Sequence, residues 1–361
     1  MKISKTLKTW LGIALFLVIL LALLFAAQRL LMPKYMSGIP EGALPAEYYR
    51  ETTDHDVIFV GDCEVYENFS PMTLWEEYGI TSYIRGGPEQ LIWQSYYTLE
   101  DTLRHETPKV VVFNVLSMSL GEPQSEAYNR MNLDGLRLSS TKLDAVRASM
   151  TEDETLLSYL FPLLRFHSRW SELSKDDFKY FFKADPVAHN GYLMRIDVKP
   201  KTQLPSKPVL DDYTLPAIGF EYLDKMQALC KDNGIQLILI KSPSEYPYWY
   251  EEWDAQVAAW AEQNEVPYLN MLLLSDEIGI DMQTDTYDGG MHLNLSGAEK
   301  LSTWFGAYLT ENYALEDHRS DPIYADVYAA KKAAYDAEIA DQQRQIDEYG
   351  KLIDIERANG N

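Results

Sequence analysis

Short apolar runs alternate with amphipathic segments along most of the chain, and this alternation constrains the fold more than any other feature. The runs are rich in Val, Ile, Leu and Phe, as buried strands are, and the segments between them have helical periodicity. Alternating strands and helices imply parallel strand pairing. The strand-like runs are HDVIFVG, TSYIRGG, KVVVFNVLSM, IQLILIKSP and VPYLNML. The sequence therefore predicts an α/β fold, a three-layer sandwich with a central parallel sheet of the flavodoxin-like kind.

The alternation is interrupted once, and it stops before the chain does. Residues 53–315 hold the predicted α/β domain, interrupted at about residues 120–210 by an insertion rich in aromatic and charged residues. The insertion lacks strand alternation, and we expect a mostly helical cap there. Residues 316–361 are Ala-rich and polar, which predicts a solvated C-terminal helical tail.

The N-terminal segment determines where the domain is expected to lie. From Trp10 to Ala27 the chain carries no charged residue, so a helix there can cross a hydrocarbon core of about 30 Å. Three lysines precede the run, which favours a cytoplasmic N-terminus. We expect residues 1–31 to be a cytoplasmic N-terminus with a single-pass anchor in the cell membrane, and residues 32–52 to be a linker. A cleaved signal peptide is the alternative, and both would export the domain.

Charge and cysteine content exclude several classes of site. The net charge is -23 and the sequence pI is about 4.6, which argues against nucleic acid as a partner because phosphate binding needs clustered Lys and Arg. Cys63 and Cys230 are the two cysteines, and their spacing matches no metal site. We predict neither a metal nor a cofactor.

Polar residues and glycines follow the predicted strands where each strand ends. In an open parallel sheet, ligands bind outside the carboxyl ends of the strands. The residues expected at this edge are Cys63 after the first strand, Gly86 and Gly87 after the second, Asn114 near the end of the third, and Asp288 and His292 in the loop before the last domain helix.

Three of these side chains have the chemistry that acyl transfer requires. The Cys63 thiol can attack a carbonyl carbon once His292 takes its proton, and Asp288 can orient the imidazole and stabilise its charged form. Each has a structural alternative, because Cys63 is also compatible with a packed thiol and His292 with a helix-entry cap.

Oxyanion donors are available in the same region of the sequence. Backbone N–H groups at Cys63 and in the Gly86-Gly87 turn could stabilise the tetrahedral oxygen. The side-chain amide of Asn114 or of Gln90 could add a further donor.

The motifs GDC after the first strand, GGPEQ after the second and DGGMHLN before the last helix resemble the SGNH, or GDSL-type, hydrolases. More narrowly, they are similar to membrane-anchored members such as the DltD proteins and alginate O-acetylation proteins. The resemblance covers about residues 54–119 and 217–313. It implies that Cys63 occupies the nucleophile position, that Gly86 or Gly87 is the second-block glycine, and that His292 and Asp288 are base and acid.

The sequence departs from that family's pattern at three places. Cys63 stands where the family has serine, Asp288 precedes His292 by four residues where the family spacing is three, and no Gly-x-Asn-Asp follows the third strand. These departures support a second hypothesis, a catalytically inactive SGNH-like protein that binds glycan or acts as a scaffold.

The resemblance implies a function at the cell envelope. We expect extracytoplasmic acyl transfer or acyl-ester hydrolysis on a cell-surface glycan or polymer, beside a multispanning membrane acyltransferase partner. The RFHSRW stretch, with Arg165, His167 and Arg169, could bind an anionic or sugar substrate or form a local salt-bridge network.

Overall fold

The sheet follows the sequence prediction. A computed structural model describes residues 4–36 and 39–353. Its strands are β1 (Val57–Val60), β2 (Ser82–Ile84), β3 (Val110–Asn114), β4 (Gln236–Lys241) and β5 (Tyr268–Asn270). They form one five-stranded sheet in the order β2-β1-β3-β4-β5, and every pairing is parallel. This flavodoxin-like order places β1 and β3 at the centre, where both faces of a strand are covered.

Helices cover both faces of the sheet, as a three-layer sandwich requires. The described helices are α1 (Lys5–Leu31), α2 (Leu44–Glu47), α3 (Cys63–Tyr66), α4 (Pro71–Tyr78), α5 (Ile92–Thr102), α6 (Glu126–Leu133), α7 (Ser140–Ser149), α8 (Leu156–Leu160), α9 (Leu163–Phe166), α10 (Lys175–Lys179), α11 (Ala217–Asp232), α12 (Glu251–Asn264), α13 (Ser275–Ile278), α14 (Leu295–Asn312) and α15 (Pro322–Tyr349). Short 3₁₀ helices lie at Pro40–Ala43, Tyr48–Arg50, Val115–Ser119, His167–Ser171 and His318–Ser320.

Successive strand residues point to opposite faces and enter two separate cores. Val57 and Phe59 pack with α4, α14 and α15, whereas Ile58 and Val60 pack with α5, α11 and α12. All four side chains are fully buried. Continuous apolar strands of this kind are typical of parallel sheets. The predicted α/β sandwich is therefore confirmed.

The insertion is helical only in its first half. Helices α6 to α10 lie between residues 126 and 179, and no helix follows before α11. The second half packs on the α/β domain, and its residues Tyr192 and Met194 are buried there. The Ile84 N–H donates to Asn190 O (2.9 Å), so this segment covers the outer edge of β2. The expected helical cap is correct for residues 126–179 and wrong for the remainder.

The predicted linker, residues 32–52, is partly folded onto the domain. Residues 40–50 form consecutive helical turns in which Leu44 and Tyr48 are buried. Tyr48 Oη donates to Glu106 Oε1 (2.6 Å), and the Arg85 guanidinium carbon lies 3.9 Å from the centroid of the Tyr48 ring. Pro40 and Pro45 lie at the first or second position of these short helices, where a missing N–H costs nothing. This part of the linker prediction was wrong.

The C-terminal helix also packs on the domain and is not the solvated tail that we expected. Tyr328 and Tyr335 of α15 are fully buried. The Tyr328 ring stacks on Trp75 with centroids 4.0 Å apart, and Tyr335 Oη lies 3.0 Å from Ser70 Oγ. The buried residues of α15 are Tyr328, Tyr335, Gln342 and Gln345, and a search for aliphatic periodicity underweights all four.

Helix α1 is long and apolar enough to cross a membrane, with a mean hydropathy of 2.8 over its best window. Its side chains are exposed as far as Phe25; beyond it Ala26, Ala27, Gln28, Leu30 and Leu31 are partly buried, where helices of the insertion contact α1, and Arg29 stays exposed. A predicted spanning helix is thus present, and its last turn contacts the domain.

Candidate active site

Cys63 is presented by a tight turn at the carboxyl end of β1. Gly61 has φ +145°, a conformation that side-chain-bearing residues rarely adopt, and a Cβ there would lie 3.1 Å from Asn114 Cβ. Asp62 then caps α3 by accepting from the Glu64 N–H (3.1 Å). Cys63 is the first residue of α3, so its own N–H has no intrahelical acceptor. The chain reverses at this point and leaves the thiol partly exposed at the sheet edge.

Asp288 and His292 form a closely bonded acid-imidazole pair. The His292 Nδ1–H donates to Asp288 Oδ2 (2.7 Å), and the His292 backbone N–H donates to Asp288 Oδ1 (2.9 Å). Gly289 and Gly290 have φ of +89° and +106°, and they allow the loop to turn back on itself. A spacing of four residues therefore still brings the carboxylate to the ring. Burial raises the pKa of Asp288, but the hydrogen bond and charge of His292 outweigh it and hold that pKa below its usual value.

The Cys63 thiol and the His292 imidazole are neighbours at the sheet edge, and each shifts the pKa of the other. Burial raises the pKa of Cys63 to about 12, and the lowering influence of His292 only partly compensates. Burial alone would lower the pKa of His292, but Glu67, Cys63 and Asp288 together raise it well above its usual value. Because the thiol is the protonated form at neutral pH, it depends on the imidazole for deprotonation.

Glu67 is a second carboxylate at the imidazole, and the sequence analysis missed it. Its Oε2 lies 3.4 Å from His292 Nδ1 and accepts a hydrogen bond from Tyr287 Oη. The Tyr287 ring is stacked against the His292 ring with centroids 6.0 Å apart. Burial raises the pKa of Glu67 to about 7, with His292 lowering it and Asp288 raising it. The available signal was its position four residues after Cys63, one turn along the same short helix.

Some of the predicted oxyanion donors already donate to other groups of the protein. Gly87 N–H donates to Gly61 O (3.1 Å), whereas no acceptor is found for the Gly86 N–H among the described residues. The Gln90 amide bonds to Arg85 O and Asn132 Oδ1, both at 3.2 Å. The Gln90 amide therefore stabilises the turn and is not available as an oxyanion donor. Of the two glycines, Gly86 has the backbone N–H that is free to donate to an oxyanion.

Asn114 belongs to a buried polar network beneath Cys63. Its Nδ2 donates to Asp62 Oδ1 (3.0 Å) and Glu64 Oε2 (2.9 Å), and its Oδ1 accepts from the Ser242 N–H (3.1 Å). Lys241 Nζ contacts both Glu64 carboxylate oxygens at 2.9 and 3.0 Å. The network joins the ends of β1, β3 and β4. Its role is structural, so the Asn114 amide is not available as an oxyanion donor.

The network also holds two ionisable groups away from solvent. Lys241, the last residue of β4, is fully buried and paired with Glu64. Burial and the neighbouring Glu64 raise the pKa of Asp62 to about 7, while Lys241 and Asn114 lower it. Within residues 4–36 and 39–353, no cluster of three or more His, Cys, Asp or Glu side chains is arranged to hold a metal ion.

Comparison with known proteins gives distant structural likenesses only. No protein-family model matches the sequence, and no curated protein matches it significantly. The chain is similar to a candidate acylhydrolase from Bacteroides fragilis NCTC 9343, with 14% identity and a TM-score of 0.36 over 74% of this chain and 94% of that one. It is also similar to a GDSL-like lipase from Bacteroides thetaiotaomicron VPI-5482, with 12% identity and a TM-score of 0.35 over 75% of this chain and 98% of that one. The second neighbour carries the GDSL description of the family that the sequence motifs resemble.

Proposed function

We propose that this chain is an SGNH-type enzyme that transfers or hydrolyses acyl esters through a Cys63 acyl-enzyme. One observation carries the proposal, namely that Cys63 at the end of β1 neighbours His292, whose Nδ1 is bonded to Asp288 Oδ2 (2.7 Å). Nucleophile, base and orienting acid in that order are the parts of covalent acyl transfer. Their joint position at the carboxyl edge of a parallel sheet is where a substrate has access.

In the first half-reaction the imidazole removes the thiol proton as the sulfur attacks the ester carbonyl carbon. Asp288 occupies Nδ1, so Nε2 is the nitrogen that receives the proton. The resulting oxyanion can be stabilised by the backbone N–H groups of Cys63 and Gly86. Collapse of the tetrahedral intermediate breaks the ester C–O bond, and His292 returns the proton to the leaving alcohol.

The second half-reaction restores the thiol. Neutral His292 removes a proton from an acceptor hydroxyl, whose oxygen attacks the thioester carbonyl, and the sulfur leaves and recovers its proton from the imidazolium. Water as the acceptor gives hydrolysis, and a polymer hydroxyl gives transfer. A thioester is more readily cleaved than an ester, so Cys63 suits a site that passes its acyl group on.

The finer assignments concern location and partners. We propose that α1 is a single-pass anchor in the cell membrane and that the domain acts on the extracytoplasmic side. A cell-surface glycan or polymer is the proposed acceptor, and a multispanning membrane acyltransferase is the proposed donor partner. The length and apolarity of α1 support the anchor. The acceptor and partner rest on the motif resemblance.

A catalytically inactive scaffold is the second candidate. The observation that favours it is the pKa of Cys63, which burial raises to about 12 and which leaves little thiolate at neutral pH. An inert thiol beside a structural histidine would have the same geometry.

Mass spectrometry of the intact protein after incubation with p-nitrophenyl acetate separates these candidates. The proposal expects one acetyl adduct that maps to Cys63, is released by hydroxylamine and is absent from Cys63→Ala. His292→Ala should lose the adduct, and Cys63→Ser should retain some turnover. Cys230→Ala is the matched control, because Cys230 is buried in the core and should not affect labelling. Equal labelling of wild type and Cys63→Ala would refute the covalent mechanism.

A further inference from the structure

One segment of the insertion exposes an unusual amount of aromatic surface. Outside α1, every exposed Phe and Trp among the described residues lies between residues 157 and 182. We name this group, with two leucines of the same segment, the aromatic face. Its members are Leu157 (53% exposed), Phe161 (56%), Leu164 (54%), Trp170 (72%), Phe178 (61%) and Phe182 (89%). Exposed apolar groups of this size mark a surface that contacts a partner or a membrane.

The aromatic face lies beside the end of the spanning helix. Arg169 Nη1 donates to Leu31 O (2.6 Å), and Arg29 Nε donates to Phe181 O. The Phe181 and Phe182 rings are in edge contact with centroids 4.5 Å apart. Helices α9 and α10 and the 3₁₀ helix between them all contact α1. These contacts place the face at the level of the last turn of α1, where a span of this length leaves the hydrocarbon.

The charges around the aromatic face differ from those of the rest of the chain. Lys175, Lys179 and Lys183 are exposed there, in a protein whose net charge is -23. Of the acids nearby, Asp177 is buried and paired with Arg169 (3.2 Å), and Glu172 is exposed. Asp185 pairs with Lys183 (2.9 Å) and lies 4.0 Å from Lys179, so Lys175 is the lysine of the three without an acid at ion-pair distance among the described residues. Lysine side chains can lay their methylenes along an apolar boundary and keep the ammonium in the headgroup layer, and tryptophan is enriched at that layer.

We infer that the aromatic face docks on the surface of the bilayer that holds α1, with its apolar side chains at the boundary between headgroups and acyl chains. The inference rests on the proposed membrane anchor and extends it from one helix to a second contact. Continuity with the end of α1 and the local basic charge favour lipid as the occupant over a second copy of the chain or another protein.

This docking would bring the catalytic edge close to the membrane. The chain that follows α1 folds back toward the site, since the Tyr35 ring packs against Gly42 and the nearby Leu44 and Pro45 line a small cavity together with Gly86 and Gln90. The opposite, amino edge of the sheet lies away from these contacts. There Tyr324 packs on His318, whose ring bonds Asp56 (2.9 Å) just before β1.

Site-specific fluorescence quenching of the full-length protein tests the inference. Single cysteines are introduced by Phe182→Cys, Ile323→Cys or Leu17→Cys in a Cys63→Ala and Cys230→Ala background, and each is labelled with the dye NBD. Ile323 is the matched control, because it is apolar, 68% exposed and next to Tyr324 at the amino edge. The proteins are reconstituted in vesicles of phosphatidylcholine and phosphatidylglycerol that carry spin-labelled lipid, and iodide is the aqueous quencher.

Each pattern of quenching supports or overturns the proposal. Docking predicts that the label at Phe182 is quenched by spin-labelled lipid and shielded from iodide, while the label at Ile323 behaves in the opposite way. Equal iodide access at both positions would overturn it. Shielding at position 182 from both quenchers would also overturn it and would indicate a protein occupant. The label at Leu17 reports the anchor separately, so a lipid-exposed Leu17 with a water-exposed Phe182 refutes the docking alone.

Discussion

Replacing Glu67 with glutamine should move the pH dependence of the reaction toward acid. The base must be neutral to accept the thiol proton, and Glu67 helps to hold the pKa of His292 well above its usual value. The wild-type rate should therefore rise with pH into the alkaline range. Glu67→Gln removes one carboxylate 3.4 Å from Nδ1, which lowers the His292 pKa and makes neutral imidazole available at lower pH.

The size of the shift follows from the distance. Two unit charges 3.4 Å apart interact by about 5 kcal/mol at an effective dielectric constant near 20, and one pKa unit corresponds to about 1.4 kcal/mol, which sets an upper limit of about 3.5 units for the His292 pKa shift. Glu67 itself has a pKa of about 7 and is only partly ionised at neutral pH. We expect the ascending limb of the pH–rate profile to shift by about 1–3 pH units toward acid.

The assay is the initial rate of p-nitrophenyl acetate hydrolysis as a function of pH, with the His292 ring resonance followed by NMR across the same range. Because Glu67 and His292 titrate together, the wild-type limb should be broader than a single ionisation, and Glu67→Gln should sharpen it. Glu299→Gln is the control for the loss of one partly buried carboxylate at a distance from the imidazole. An unchanged limb in Glu67→Gln, or a shift toward alkali, would refute the argument.

Three further predictions concern stability and topology. Lys241→Met should lower the free energy of unfolding by about 3–5 kcal/mol because it leaves Glu64 buried without a counter-charge, and adding Glu64→Gln should recover part of the loss in denaturant titrations. Tyr328→Ala should cost about 3–5 kcal/mol by emptying its stacked position on Trp75, whereas Tyr349→Ala, at a half-exposed site of the same helix, should leave Tm nearly unchanged. Protease added outside intact cells should digest the domain, and protection would reverse the proposed topology.

The strands, and the gathering of the candidate site residues at one sheet edge, could be predicted from sequence because each depends on local patterns. Apolar runs fix the sheet, and residues that follow strand ends must gather at one edge, which is how Cys63 and His292 were paired. Glu67 was missed because its contact with the imidazole depends on how α3 ends against the distant Tyr287 loop, which no local pattern records.

The predictions of a linker before the domain and of a solvated tail after it were wrong for another reason. Leu44 and Tyr48 lie among prolines, and Tyr328 and Tyr335 lie among alanines and charges, so neither segment has a strong periodic signal. Both segments are buried because they pack against surfaces formed by distant parts of the chain. Tertiary packing overrides a weak local preference for one secondary structure. Gln90 and Asn114 were placed at the correct edge, but the sequence could not show that neighbouring groups already use their amides.

The folded segment that begins at Pro40 limits how far the domain can lie from α1. Only residues 32–39 separate α1 from that segment, and so short a chain spans at most about 30 Å even when fully extended. With α1 in a bilayer, the domain has no stalk with which to explore the outer wall. Under the proposed function, a polymer that the domain modifies must therefore pass close to the lipid, as a chain does while it is still being made or is itself held by a lipid.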